Sequence, residues 1–247
     1  MGYLDFHMTF IIPPLVVLGG LLVLQDGEER RRTLEAAGLL AGLATLWATP
    51  WDNYMVATDV WSYPADGVVA TVGYIPLEEQ LFFILQPLMT VGLLGLLRDG
   101  RRVSPPPGRL AARRTIGHWL AAGLLVLSTV AAGLHLAGRA PYLTSIVAWF
   151  GPILALQVGV GFAWLWARRR LVAAAILFPT AYLCVADAIA IDQRHWTINP
   201  AATVGIEFVG LPLEEIAFFL VTNTVVVGGA LLFLDWYEWL RGGRADG

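Results

Sequence analysis

The sequence predicts an all-α integral membrane protein with seven transmembrane helices, arranged as 3+1+3 parallel repeats. Three observations support this fold class: an apolar composition, long apolar segments that alternate with arginine clusters, and an internal repeat. Of the 247 residues, 57% are hydrophobic and 14% are charged, and the mean hydropathy is +0.65. Soluble domains are about 45–50% apolar and about 25% charged, so the composition is typical of a membrane protein.

Seven segments approach the roughly 20 apolar residues that a transmembrane helix needs. They are residues 3–24, 34–50, 75–97, 116–137, 143–167, 171–191 and 211–234. Fourteen of the sixteen arginines follow the first, third, fifth and seventh segments, and only Arg139 and Arg194 lie on the other side. Because basic residues concentrate in cytoplasmic loops, this bias predicts a multi-pass protein of the cell membrane that is N-out and C-in.

The two halves of the chain share a motif together with its upstream residues. PLEEQLFF at 76–83 matches PLEEIAFF at 212–219. The further matched pairs are Asp52 with Asp187 and Trp61 with Trp196, each 135 residues apart, and Pro13 with Pro152, 139 apart. This recurrence indicates an internal duplication of three helices.

An offset of four helices preserves the direction in which the chain crosses the membrane, so the two repeats are parallel. The sequence therefore predicts a first three-helix repeat at 1–98 and a second at 141–247. Residues 99–140 would form a cytoplasmic linker and the fourth helix. The stretch 98–114 is rich in proline and arginine, which favours a non-helical, water-exposed connection.

Each PLEE motif places two carboxyl groups at the start of an apolar helix. Acidic residues suit the positive end of a helix dipole, but ionisable groups in membrane segments usually face the bundle interior and serve function. We therefore predict that four glutamates are catalytic: Glu78, Glu79, Glu214 and Glu215. Asp52 and Asp187, predicted to close the second and sixth helices on the same side, would share a proton or a hydrogen bond with them.

Aromatic residues accompany these acids. On helical spacing Glu78 shares a face with Phe82, and Glu79 with Phe83; the second repeat places Phe218 and Phe219 in the same way. A carboxyl group beside aromatic rings can protonate an alkene, and the rings can stabilise the resulting carbocation. We therefore predict a substrate site that contains these four phenylalanines together with Trp61, Trp196 and Asn53.

Several classes of function are excluded by missing residues. The chain contains no lysine, so it cannot form the Schiff base of a retinal protein. The small net charge of −3 does not indicate binding to nucleic acid. No nucleotide or flavin motif is visible, no histidine pair has metal-ligand spacing, and no aspartate-rich pair suits magnesium diphosphate. The sequence thus predicts neither a cofactor nor a metal site.

At PLEEQLFF and PLEEIAFF the chain resembles the membrane-bound lycopene cyclase domain family, over essentially its whole length. The resemblance implies two three-helix cyclase domains joined through an extra helix. It also implies conversion of the linear ψ end groups of lycopene to β-ionone rings, through γ-carotene to β-carotene, with no redox change. The implied partners are lycopene, cyclic carotenoids, the lipid bilayer and other enzymes of carotenoid synthesis.

Two other kinds of function stay open on the sequence alone. Small sugar transporters share the 3+1+3 parallel plan, although a translocation path would need more polar residues at the centre of the spans. A carotenoid hydratase would also protonate the substrate, and a prenylating cyclase would also form a carbocation, but each would give another product. The identity of the product separates these alternatives.

Overall fold

The chain folds into a bundle of long helices that is closed at one end by short strands. The computed structural model describes residues 2–64, 66–98 and 107–236. Seven long helices lie within these residues. They are α1 Tyr3–Val23, α2 Gly27–Ala57, α3 Leu77–Leu97, α4 Pro107–Leu136, α5 Pro141–Ala167, α6 Arg169–Asp192 and α7 Leu213–Leu231.

Six of these helices, all except α2, are long and apolar enough to cross a membrane. The predicted second span lies inside α2, which has 31 residues but begins with the charged stretch GEERRR. Helix α2 packs along α3, so it belongs to the same bundle. The predicted class, an all-α membrane protein, is confirmed.

Short strands form the end of the bundle opposite the arginine clusters, here called the strand end. They are β1 Trp61–Ser62, β2 Thr71–Val72, β3 Ile75–Pro76, β4 Thr197–Ile198, β5 Glu207–Phe208 and β6 Leu211–Pro212. Strands β2 and β3 form one hairpin just before α3, and β5 and β6 form another just before α7. Strands β1 and β4 pair with each other, which joins the two halves of the chain.

The β1–β4 pair matches equivalent positions of the two halves. Ser62 pairs with Thr197, 135 residues later, and their side-chain oxygens are 2.7 Å apart. The turns that precede these strands also correspond, because Asp59 and Arg194 both adopt a left-handed backbone with φ near 60°. The two connections therefore leave their helices in the same conformation and meet at the strand end.

Three predicted boundaries need correction. Asp52 and Asp187 do not close their helices: each is followed by a further helical turn, to Ala57 and Asp192. The helices end instead two residues before the left-handed residues just described.

The other two corrections concern prolines. Pro76 and Pro212 are the last residues of β3 and β6, so α3 and α7 begin at Leu77 and Leu213, two residues after the predicted starts. Part of the predicted non-helical connection, residues 107–114, belongs to α4. Proline is compatible with the first turn of a helix, and the following GRLAARR contains good helix formers. Residues 99–106 of that connection lie outside the described residues.

Two apolar clusters fill the bundle. The cluster near the strand end is rich in aromatic residues, among them Trp51, Trp61, Tyr142 and Phe218. The second cluster consists of aliphatic residues such as Leu40, Leu94 and Val227, and it lies toward the arginine-rich end. The aromatic cluster surrounds the predicted carboxyl groups.

Candidate active site

A cavity of about 430 Å³, its open mouth included, lies near the strand end and is here called the acid cavity. Helices α1, α3, α6 and α7 and the segments around β1 and β4 contribute to its wall. The lining residues are Tyr3, Phe6, Trp61, Tyr63, Glu79, Phe82, Asp187, Trp196, Glu215, Phe218 and Phe219. Three of the six predicted acids therefore face one space.

The second glutamate of each PLEE motif accepts a hydrogen bond from a tyrosine. Tyr3 donates to Oε2 of Glu79 at 2.5 Å, and Tyr142 donates to Oε1 of Glu215 at 2.6 Å. Both carboxyl groups are buried and line the same cavity. Hydrogen bonds to a carboxylate are among the strong ones in proteins, so both acids are held in fixed positions.

Tyr63 adds a second phenol to Glu79, donating to Oε2 at 3.1 Å. Burial raises the pKa of Tyr63 well above its ordinary value, and the neighbouring carboxyl of Glu79 raises it further. Tyr63 therefore keeps its proton and stays a donor. The equivalent position of the second half is Ile198, so Glu215 lacks this phenol.

The two aspartates join the same cluster but differ in their surroundings. Asp187 accepts a hydrogen bond from the indole of Trp196 at 3.1 Å and lies beside Glu215. Asp52 is 1% exposed, and neither of its carboxyl oxygens has a hydrogen-bond partner among the residues that the structure describes. It lies near Glu79 and Glu215.

The first glutamate of each motif does not line the acid cavity. Oε1 of Glu78 accepts a hydrogen bond from the backbone amide of Val69 at 2.8 Å, and Oε1 of Glu214 does the same with Val204 at 2.7 Å. Both glutamates are buried. The structure thus separates two kinds of glutamate within the motif, whereas the sequence treats them alike.

The phenylalanines divide between two cavities. Phe82 and Phe218 line both the acid cavity and a larger apolar groove, whereas Phe83 lines the groove and Phe219 the acid cavity. Glu79 shares the acid cavity with Phe82, three residues later, whereas Glu215 shares it with both Phe218 and Phe219. Residues three and four positions apart are both neighbours on a helix, and tertiary packing decides which of them line the same cavity.

The apolar groove has a volume of about 1160 Å³, its opening included, and runs between α2, α3, α5 and α7. Leu43 and Leu156 on its wall are exposed at the surface of the bundle. On α7 it extends from Phe218 to Gly229, which is about 16 Å at the helical rise per residue. The groove adjoins the acid cavity, since Phe82 and Phe218 line both, and it reaches the lipid-facing surface.

Trp61 and Trp196 both lie in the wall of the acid cavity. Trp61 also packs edge-on against Trp51, with ring centroids 5.2 Å apart, and Trp51 stacks on Phe218 at 5.5 Å. Asn53, in contrast, lines neither of the two cavities. Its amide oxygen accepts from the backbone of Tyr74 at 2.8 Å, and its amide nitrogen donates to the carbonyl of Thr49. Asn53 thus joins α2 to the β2–β3 turn.

Sequence reasoning missed the three tyrosines. Tyr3 and Tyr142 are 139 residues apart, the same offset as Pro13 and Pro152, so the repeat contained a signal for these two. Tyr63 has no counterpart in the second half, and no sequence pattern indicates it.

Comparison with known proteins assigns the family. The family model described as "Lycopene cyclase" matches residues 6–97 and 140–233. A lycopene beta-cyclase of Halobacterium salinarum is 41% identical over 233 residues, which cover 94% of this chain and 95% of that protein.

A second relative is longer. The bifunctional lycopene cyclase/phytoene synthase of Arthroderma gypseum is 34% identical over 253 residues, covering 93% of this chain and 41% of that protein. No solved structure matches the chain. The family model covers well over half of the sequence, and the archaeal relative covers nearly all of it. The chain belongs to the lycopene cyclase family.

Proposed function

We propose that the protein is a lycopene beta-cyclase, which converts the ψ end groups of lycopene to β-ionone rings by way of γ-carotene. One observation carries the proposal: Glu79 and Glu215 face the same aromatic cavity, and an apolar groove adjoins that cavity at Phe82 and Phe218. A long hydrocarbon with a reactive end needs both parts. The names of the relatives support the same reaction, and they give no support to a transporter, a hydratase or a prenylating cyclase.

The reaction needs one acid and one base. One carboxyl group protonates the terminal double bond of the end group, which leaves a tertiary carbocation. The next double bond attacks this cation, a carbon–carbon bond closes the ring, and a second carboxylate removes a proton to form the ring alkene. We assign these two roles to Glu79 and Glu215, with Asp52 and Asp187 sharing the proton of the cluster. Proton gain and loss balance, so the product is an isomer of the substrate.

The aromatic wall would stabilise the cation. The faces of aromatic rings attract positive charge by about 0.5–2 kcal/mol each, more when water is absent. Phe82, Phe218 and Trp61 lie at the cavity, within the same wall as the two glutamates. Burial of the site also keeps water from capturing the cation, which favours ring closure over hydration.

Three features of the proposal concern the whole molecule. We infer parallel repeats at 1–98 and 141–247, connected by 99–140, and the Ser62–Thr197 pair and the two ranges matched by the family model support this. The arginine bias supports an N-out, C-in orientation in the cell membrane. The acid–base chemistry requires no cofactor. Relatives that also contain a phytoene synthase part support contact between this protein and other enzymes of carotenoid synthesis.

Expression in cells that accumulate lycopene tests the function. The expected result is γ-carotene and β-carotene, with the same mass as lycopene but with new retention times and absorption spectra. A product heavier by one water would indicate a hydratase, and a longer carotenoid would indicate a prenylating cyclase. Unchanged lycopene in cells that contain the folded protein would refute cyclase activity.

A further inference from the structure

We infer that Glu78 is a positioning residue, which acts through the loop before β2 to hold Tyr3 on Glu79. The inference rests on the proposed role of Glu79 and deepens it. It also gives the first glutamate of the motif a role that needs neither its charge nor its proton.

The first step is the contact between Glu78 and the loop. The loop amide of Val69 donates to Oε1 of Glu78 at 2.8 Å, while Oε2 of Glu78 is buried with no hydrogen-bond partner in the structure. Glu78 is 2% exposed, so the hydrogen bond is shielded from water. An accepting oxygen is all that this contact requires.

The second step links the loop to the start of the chain. The carbonyl of Gly67, two residues before Val69, accepts from the backbone amide of Tyr3 at 2.8 Å. The carbonyl of Glu78 itself lies 2.7 Å from Nε2 of His7, one helical turn after Tyr3. Glu78 and its loop therefore fix the first turn of α1 at two points.

The third step reaches the active site. With its backbone fixed in this way, Tyr3 places its hydroxyl 2.5 Å from Oε2 of Glu79. The ring of Tyr3 is stacked on Tyr63 at 5.8 Å, and Tyr63 contacts the same oxygen. If the loop moved, Glu79 would lose the hydrogen bond from Tyr3, and Tyr63 would lose the ring that stacks on it.

The second half of the chain supplies a natural comparison. Glu214 holds the amide of Val204 in the same manner. In the part of the chain that the structure describes, however, no hydrogen bond joins that loop to Tyr142, which is held within α5. The link from glutamate through loop to tyrosine is therefore specific to Glu78.

Substitutions of Glu78 separate positioning from acid–base chemistry. Glu78→Gln keeps an oxygen that accepts from Val69 and should keep kcat within about threefold of wild type. Glu78→Leu removes the acceptor and should lower kcat about 10–100-fold, the loss expected if the hydrogen bond from Tyr3 to Glu79 is no longer formed. KM for lycopene should stay unchanged because the groove is intact. Hydrogen–deuterium exchange in residues 66–72 should rise in Glu78→Leu and not in Glu78→Gln.

A double-mutant cycle tests the connection to Tyr3. The losses in kcat caused by Tyr3→Phe and Glu78→Leu should not be additive in free energy, because both substitutions remove the same contact to Glu79. The losses caused by Tyr142→Phe and Glu78→Leu should multiply in the double mutant, and so should those caused by Tyr142→Phe and Glu214→Leu. Full additivity of Tyr3→Phe with Glu78→Leu would overturn the inference.

A second variant covers the case in which Glu78→Leu does not fold. Val69→Pro removes the donor and leaves every carboxyl group in place, so it should reproduce the loss in kcat. Val69→Ala is its control, because the side chain is 70% exposed and the amide is kept. Activity of Val69→Pro equal to that of Val69→Ala, or a loss in Glu78→Gln as large as in Glu79→Gln, would refute the positioning role. Full activity of Glu79→Gln would instead refute the proposed acid–base pair.

Discussion

Oγ of Ser62 and Oγ1 of Thr197 lie 2.7 Å apart, and the two residues occupy the same position of the two halves of the chain. A contact between equivalent positions lies on the axis that relates them, so this pair marks the axis of the proposed repeat. The acid cavity draws Glu79 from one half and Glu215 from the other. The proposed acid and base thus come from different halves of the chain.

The orientation of the bundle gives a first prediction. The strand end carries the segment 59–70, and the arginine clusters lie at the opposite end, so the positive-inside rule places 59–70 outside. Reporter fusions in this segment should give a periplasmic or extracellular signal, and fusions after residue 240 should give a cytoplasmic one. A cytoplasmic signal from 59–70 would contradict the orientation.

The acid–base pair gives a second prediction. Glu79→Gln and Glu215→Gln keep the shape of the side chain and remove proton exchange, so each should lower cyclisation about 10²–10⁴-fold. Lycopene, γ-carotene and β-carotene would be measured at matched expression. Glu207→Gln serves as the control, because Glu207 lies in the exposed strand β5. Comparable activity in all three variants would remove Glu79 and Glu215 from the mechanism.

The sequence predicted the helices and the acids, but not how the acids divide. Successive residues of a helix point about 100° apart, so Glu78 and Glu79 can have different surroundings. Which of them faces the cavity depends on the packing of α3 against α1 and α7, and that packing cannot be predicted from the motif. The repeat offset could have identified Tyr3 and Tyr142. Tyr63 depends on a loop contact that no periodicity predicts.

The tyrosine contact in the second half gives a third prediction. Tyr142 donates to Glu215 at 2.6 Å and is fully buried. Tyr142→Phe removes only this hydroxyl and should lower kcat about 10–100-fold, since hydrogen bonds to charged groups contribute about 1.5–3 kcal/mol. Tyr74→Phe is a matched control because that ring is exposed. A loss of thermal stability without a loss of kcat would limit Tyr142 to a structural role.

The chemistry gives a fourth prediction, which concerns cofactors. Protonation and deprotonation by carboxyl groups leave the oxidation state of the carotenoid unchanged, so no redox partner is needed. Protein purified in detergent and returned to lipid should cyclise lycopene without added FAD or NADPH. Dialysed protein with and without each cofactor would be compared under anaerobic conditions. An absolute dependence on reduced flavin would contradict the proposed mechanism.

The apolar groove gives the last prediction. Ala44 lines the groove on α2, whereas Leu46, two residues later, is 77% exposed and is not part of its wall. Ala44→Trp should fill part of the space that the polyene needs, and should therefore raise KM or abolish binding while the acid cavity stays intact. Leu46→Trp adds a similar bulk to the lipid-facing side and should leave the kinetics within about twofold, because isolated apolar residues on such a surface cost little. Initial rates over a series of lycopene concentrations in vesicles would separate KM from kcat. Equal kinetics for the two variants would show that the substrate reaches Glu79 and Glu215 by another path.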